Sequence, residues 1–246
     1  MTTTAGSNGQ AQVASVHDRI PENRFLALLS ESDRTLILQA STVVTLKSQD
    51  IVSEPNEFLT HVYIPLTGVI SLVTRLDHGA MEAMTVGNDG FAGLAVYNGV
   101  TETTSQQVCQ VPGDFLRIDV GTFARFLDEM PSLQRAAGRY AQLVLEMLAQ
   151  SAACNRLHVV EERCARWLLL THDRVNRDAF ELTQGFLSQM LGVRRPGVTV
   201  AIGVLTRAGL ISHTRGIIRI ENRDRLEQAS CECYAAMRHR QDALLN

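Results

Sequence analysis

The chain has 246 residues, 45% hydrophobic and 20% charged, with a formal net charge of −3. That size admits one large domain or two modest ones, each able to bury a core, and the composition excludes collagen-like, coiled-coil-only and wholly disordered chains. No run approaches the roughly 18 uncharged apolar residues of a membrane helix, and residues 1–18 lack the basic and apolar segments of a secretory signal. They read as a polar, disordered tail, and the chain as cytoplasmic with no membrane partner.

Apolar spacing at Phe25, Leu28, Leu29, Leu36 and Ile37 predicts two short helices broken around Ser30–Ser32. The period then changes. Thr42–Leu46, Asp50–Ser53, His61–Pro65, Val69–Thr74, Met81–Val86, Gln106–Gln110 and Phe115–Asp119 are short runs rich in Val, Ile and Thr, separated by turn signals such as Asp77-His78-Gly79 and Asn88-Asp89-Gly90. Strands at this spacing predict an antiparallel sandwich or roll.

Gly121–Met130 predicts a helix. From Leu133 to about Arg174 there is no Pro and only Gly138, which predicts a long helix and a shorter one, broken near His158–Val159. On the long one Ala137, Tyr140, Val144, Met147, Ser151, Cys154 and His158 recur at 3–4 spacing, like a coiled-coil seam. Leu133, Ala136, Leu143, Gln150 and Leu157 form a neighbouring stripe. Two stripes predict two partners, the helix's own sheet domain and a second copy, although burial wholly within one domain also fits.

Charge divides the chain more sharply than composition does. Residues 1–150 carry −7 and residues 151–246 carry +4. Within 182–220 stand Arg194, Arg195, Arg207, Arg215 and Arg219 without one carboxylate, the signature of a local polyanion site.

That block has helix-turn-helix texture. Thr183 is placed to cap a first helix, Leu187 and Leu191 share its buried side, and Ser188 is small where a second helix must cross. Gly192 ends it. Val193, Val198, Ala201 and Ile202 supply the buried side of the second helix, whose start carries Arg194, Arg195 and Pro196. Leu205, Leu210 and Ile211 close a small core, and Ile211–Arg215 with Ile217–Ile220 predicts a two-stranded wing with His213, Thr214 and Arg215 at its tip. Such a unit lays its second helix in the major groove of DNA.

The order roll, long helix, winged helix-turn-helix resembles the Crp/Fnr family of bacterial transcription regulators from about residue 24 to 220. His61-Val-Tyr-Ile-Pro65, Leu66-Thr-Gly-Val-Ile-Ser71, Gly87–Leu94 and LTQGFLSQMLGVRRPGVTVAIGVLTRAGLI carry the resemblance. It implies an α+β chain: an N-terminal antiparallel β-roll (jelly-roll-like), a long dimerisation helix and a C-terminal winged helix-turn-helix. The expected boundaries are 1–18 tail, 19–130 roll, 131–158 dimerisation helix and 159–246 DNA-binding domain. The expected partners are a two-fold double-stranded operator, a second copy of the chain, a small-molecule effector of unknown kind and, for an activator, RNA polymerase.

The expected DNA contacts are Thr183, Ser188 and Gln189 on the first helix, and the resemblance implies phosphate contacts at Thr183 and Gln189. Arg194, Arg195, Pro196, Gly197 and Thr199 follow on the second, with Arg215 on the wing; Arg195 matches a guanine-reading arginine. Pro196 stands where many relatives carry a base-reading glutamate, and Val200 replaces a later arginine, so the operator should differ from theirs. The effector pocket falls on Gly93, Leu94, Thr103, Thr104 and Leu148. Gly93 and Thr103 occupy the places of the glutamate and arginine that hold cAMP in relatives, and residues 92–116 contain no arginine. Without a guanidinium the cyclic phosphate lacks its charge-assisted pair, so cAMP is not the expected effector.

Other chemistries find less support. Five cysteines at irregular spacing (Cys109, Cys154, Cys164, Cys231, Cys233) fit a reducing compartment, and none precedes Cys109 to hold an N-terminal iron–sulfur cluster. Cys154 and His158 share a helix face and could ligate a metal across a dimer axis, but packing is the commoner use of such thiols. Cys231 and Cys233 fall in a predicted C-terminal helix, Arg223–Leu244, where residues two apart point about 200° apart and cannot easily chelate one ion. His78 at a hairpin tip could ligate haem, yet it reads as a solvated turn residue. No metal site and no cofactor are expected. A P-loop, a G-x-S-x-G elbow and an H-E-x-x-H motif are all missing, so the chain is not expected to be an enzyme. The alternative is a β-roll sensor, or a metal-dependent β-roll protein, that does not bind DNA.

Overall fold

The computed structural model describes residues 23–77, 79–175 and 177–246. The expectations for the 1–18 tail and for His78 lie outside the described residues.

Two short helices, α1 (Arg24–Ala27) and α2 (Glu31–Gln39), open the described chain, and Ser30 caps the second by accepting from Asp33 N at 3.2 Å. The roll follows as β1 (Thr42–Leu46), β2 (Ile51–Ser53), β3 (His61–Pro65), β4 (Val69–Leu76), β5 (Gly79–Val86), β6 (Gln106–Val111) and β7 (Gly113–Asp119). One antiparallel sheet has the order β1-β7-β3, with Thr42 opposite Arg117 and His61 opposite Asp119. The other runs β2-β6-β4-β5, with Ile70 opposite Val86. Phe91, Phe115, Ile64 and Ile118 are fully buried in the core.

Helix α3 (Val120–Glu129) leads to α4 (Pro131–Leu157), the long helix, and the chain breaks at His158–Val159 before α5 (Val160–Val175). Beyond it come β8 (Ala179–Glu181), α6 (Gln184–Leu191), α7 (Arg195–Arg207), β9 (Ile211–Thr214), β10 (Ile217–Ile220), α8 (Arg223–Gln228) and α9 (Cys233–Leu244). The chain is thus the expected mixed helix and strand fold, with antiparallel sheets first and a winged helix-turn-helix last.

Four expectations need correction. The wing has three strands, in the order β8-β10-β9, because Ala179–Glu181 pairs with Arg219–Ile217. Its tip is the Arg215–Gly216 turn, with φ of 50° and 80°, while His213 lies within β9 opposite Ile218. The C-terminal segment is two helices, not one, and Cys231 sits in the break between them.

The fourth concerns the long helix. Its expected dimer seam is buried by the chain itself: Ala137, Tyr140, Val144, Met147 and Cys154 are all under 9% exposed. Tyr140 joins an aromatic cluster, 5.1 Å from Phe91 and 6.0 Å from Phe25, and lies so close over Gly90 that a Cβ there would meet its ring at 2.1 Å. Helix α9 folds back over the later turns beside Met147, and Cys231 in the break before it meets Cys154. The face left open is Ala141, Leu145, Leu148 and Ala152, again at 3–4 spacing, with Leu145 63% exposed. A short C-terminal helix takes the stripe that the sequence pattern assigns to a partner.

Candidate nucleic-acid interface

The interface begins with local capping. Thr183 Oγ1 accepts from Phe186 N at 3.1 Å and starts α6; Gly192, at φ 61°, ends it in the left-handed region that glycine enters without Cβ strain. Three residues later α7 starts at Arg195, with Pro196 in its first turn and no side chain capping its free amides. Val198, Ala201, Ile202 and Leu205 are buried, and α7 packs on α5. The period of 3.6 then turns the other face outward. Arg195, Pro196, Thr199, Val200, Val204 and Arg207 are exposed on it.

Thr199 Oγ1 lies 3.0 Å from Gln184 Oε1, tying the recognition helix to the first turn of α6. The Arg195 guanidinium lies back over Gly185, where a Cβ would meet Nη2 at 2.9 Å. Ser188 donates to Gly185 O at 2.7 Å and is half-buried, as a crossing residue should be. Gln189 is likewise half-buried, Gly197 closes the first turn of α7 onto Arg194 O at 2.9 Å, and Arg194 is exposed. All five arginines of the acid-free block are exposed, and none forms an ion pair among the described residues.

The structure divides the expected contact set. Arg194, Arg195, Pro196, Gly197 and Thr199 gather at the start of α7. Thr183 and Arg215 instead line a cleft that Ser48, Gln49 and Gln110 of the roll share. Gln184 and the exposed Val204 join the interface without a sequence signal that names them, whereas Val200 stands where the resemblance already expects a contact. A helical wheel anchored on Val198, Ala201 and Leu205 would have exposed both valines.

A polar seam joins this unit to the roll. Arg174 of α5 and Asp89 form a bidentate pair, Nε to Oδ1 at 3.1 Å and Nη2 to Oδ2 at 2.7 Å, with side chains only 2% and 5% exposed. Gly87 N donates to Asp89 Oδ1 at 3.0 Å and the Gln241 amide to Oδ2. Burial alone would raise the Asp89 carboxyl, but the charge and hydrogen bonds of Arg174 outweigh it and hold it below the usual range. Beside it, Trp167 Nε1 donates to Glu82 Oε1 at 2.7 Å. Ser71 Oγ stands 2.6 Å from Glu82 Oε2 and 2.8 Å from Gln110 Oε1. One hydroxyl proton cannot serve two acceptors at once, and a proton on Glu82 would complete the chain. Burial pushes the Glu82 carboxyl up to about 7 against the hydrogen bonds of Ser71 and Trp167.

The expected effector residues are dispersed over three elements. Gly93 (φ 108°) and Leu94 open a short 3-10 turn, Leu94–Asn98, beside β3. Thr103 O accepts from Asn56 N at 2.7 Å, the Thr103 hydroxyl turns back to Ser105, Thr104 is exposed and Leu148 lies on α4. The cysteine expectation also changes. The helix break brings Cys231 and Cys233 to Cys154 and His158, so four donor atoms gather within 4.8 Å of one another where no metal site was expected.

Residues 162–229 match the Crp-like helix-turn-helix domain family. Among solved structures, the fold is similar to FixK2 from Bradyrhizobium japonicum, with 15% identity, TM-score 0.65, and coverage of 78% of this chain and 98% of that one. It is similar to the c-di-GMP responsive global regulator CLP of Xanthomonas campestris, with 14% identity, TM-score 0.61, and coverage of 78% and 99%. A Crp/Fnr-family transcriptional regulator from Thermus thermophilus gives 20% identity, TM-score 0.62, and coverage of 77% and 98%. No curated protein sequence matches the chain. No helix among the described residues is long and apolar enough to cross a membrane.

Proposed function

The chain carries a Crp-like helix-turn-helix domain on the fold of the Crp/Fnr regulators, and we propose that it is a cytoplasmic, homodimeric, sequence-specific transcription regulator without enzymatic activity. One observation carries this reading: α7 buries Val198, Ala201 and Leu205 and turns outward a face flanked by arginines that form no ion pair among the described residues. Arg195 supplies a guanidinium fork for guanine O6 and N7. Val200, 55% exposed, offers a methyl surface to a thymine methyl, while Pro196 adds no hydrogen bond. The uncapped first turn of α7, with Arg194, favours a phosphate. Thr183, Ser188, Gln189 and Arg215 serve the flanking backbone, and the cleft beside the roll must open for Thr183 and Arg215 to do so.

The dimer contact is the open stripe Ala141, Leu145, Leu148 and Ala152 of α4, where small residues let a second copy of the helix approach closely. Two recognition helices held about one helical turn apart then bind as a unit. An activator would also engage RNA polymerase. The effector, where one acts, is not cAMP: Gly93 and Thr103 offer neither a carboxylate for the ribose nor a guanidinium for the phosphate. Gly93, Leu94, Thr103, Thr104 and Leu148 remain the proposed wall for a less anionic ligand.

A gel-shift titration against salt tests the DNA reading. Each phosphate contact contributes a slope of about −0.9 in log K against log salt. A steep slope is expected. Binding that ignores salt, or no binding, would leave the β-roll alternative without DNA.

A further inference from the structure

Cys154 and His158 close the C-terminal end of α4, while Cys231 and Cys233 flank the start of α9. One donor atom from each lies within 4.8 Å of all the others. The Cys154 and Cys231 sulfurs are 3.5 Å apart, and Cys233 Sγ is 3.6 Å from His158 Nδ1. A tetrahedral zinc ion with Zn–S near 2.3 Å and Zn–N of about 2.0–2.1 Å spaces such pairs roughly 3.8 and 3.5 Å apart. A disulfide would need its sulfurs at about 2.05 Å. The spacing is that of donors around one ion.

Packing does not account for the cluster. Cys109 and Cys164 belong to apolar or helix-buried surroundings in or beside the main core, as structural thiols do. Cys154, Cys231 and Cys233 form a separate buried group of three thiols. Their surroundings are those of ligands. His158 Nε2 sits 3.1 Å from Glu232 Oε2, so the carboxylate holds the ring with Nδ1 toward the sulfurs, the outer contact that orients metal-bound imidazoles. Gln150 Nε2 donates to Cys233 Sγ at 3.0 Å.

We infer that Cys154, His158, Cys231 and Cys233 bind one thiophilic divalent ion, zinc by the chemistry of the donors, in a closed four-ligand site. Three sulfurs and an imidazole select zinc over magnesium or calcium. Four protein ligands leave no open coordination position, so the ion is structural. Three thiolates, a neutral imidazole and Zn2+ sum to one negative charge, which Arg166 is placed to balance. The ion would clamp the α8–α9 break onto the end of α4, at the point where the chain turns into α5 and the helix-turn-helix. It thereby fixes the hinge between the roll's long helix and the winged unit.

The test uses the full chain, reduced, incubated with zinc and freed of excess. One zinc per chain by plasma mass spectrometry is expected, and cobalt(II) in its place should give the intense visible bands of a tetrahedral thiolate site. Cys154→Ser and Cys233→Ser should lose the ion, Cys109→Ser should keep it, and Glu232→Gln should weaken binding roughly 10–100-fold. Where a ligand variant fails to fold, the wild-type stoichiometry and cobalt spectrum decide. Less than a tenth of an ion per chain, iron with acid-labile sulfide in place of zinc, or full occupancy in both serine variants would overturn the assignment.

Discussion

Asp89→Ala removes four hydrogen bonds at once. Arg174 loses both of its carboxylate contacts, at 3.1 and 2.7 Å, and the Gly87 amide and the Gln241 side chain lose their acceptors. The guanidinium stays behind at 2% exposure, with Leu170 O at 3.0 Å among its remaining acceptors. An uncompensated buried charge of this kind costs about 3–5 kcal/mol. With an m-value of about 3 kcal/mol per molar, the urea midpoint should fall by roughly 1 M or more. Asp89→Leu combined with Arg174→Met should recover most of that loss, because the stem of Arg174 already packs against Gly87 and an apolar pair strands no charge. The sign with pH follows from the depressed carboxyl: its contribution is present above the ordinary aspartate value of 3.8 and is lost as pH falls through the lower folded value. Urea titrations of the two single variants and the double close the cycle. A loss below about 1 kcal/mol for Asp89→Ala would refute the view that this pair pins α5 to the roll.

Arg195→Ala should weaken operator binding by about 1–3 kcal/mol and relax preference at one base pair per half-site; unchanged preference removes it from the reading role. Leu145→Asp should give a folded monomer by light scattering with lost operator affinity, whereas Met147→Asp, buried within the chain, should instead lower stability. For Glu82 the folded value is near 7 against 4.5 unfolded, so its contribution is full below pH 4.5 and is lost as pH rises through 7, by up to about 3 kcal/mol. Glu82→Gln should flatten that slope, since an amide keeps a donor toward Ser71 and an acceptor for Trp167; an unchanged slope would place the titration elsewhere.

Local signals were legible where one residue's chemistry decides the backbone. Thr183 and Gly192 bound α6, Pro196 falls in the first turn of α7, and the strands of the roll stand where β-branched runs meet turn residues. What misled was competition for a surface. The stripe through Met147 and Cys154 has the spacing of a helix seam, but periodicity does not say whether α9 or a second copy covers it. The cysteines failed for a related reason. Treating Arg223–Leu244 as one helix separates Cys231 from Cys233, whereas the break near Ser230 turns both toward Cys154. Strand β8 has three residues and pairs only through the wing, too little for a sequence period to reveal.

Selection of bound duplexes from a random pool, repeated with Arg195→Ala, tests the central claim most directly. The expected result is a two-fold symmetric site whose half-sites lie about one helical turn apart, each with a guanine whose preference the variant loses. A pool without enrichment, or an asymmetric site unaffected by Arg195→Ala, would contradict it.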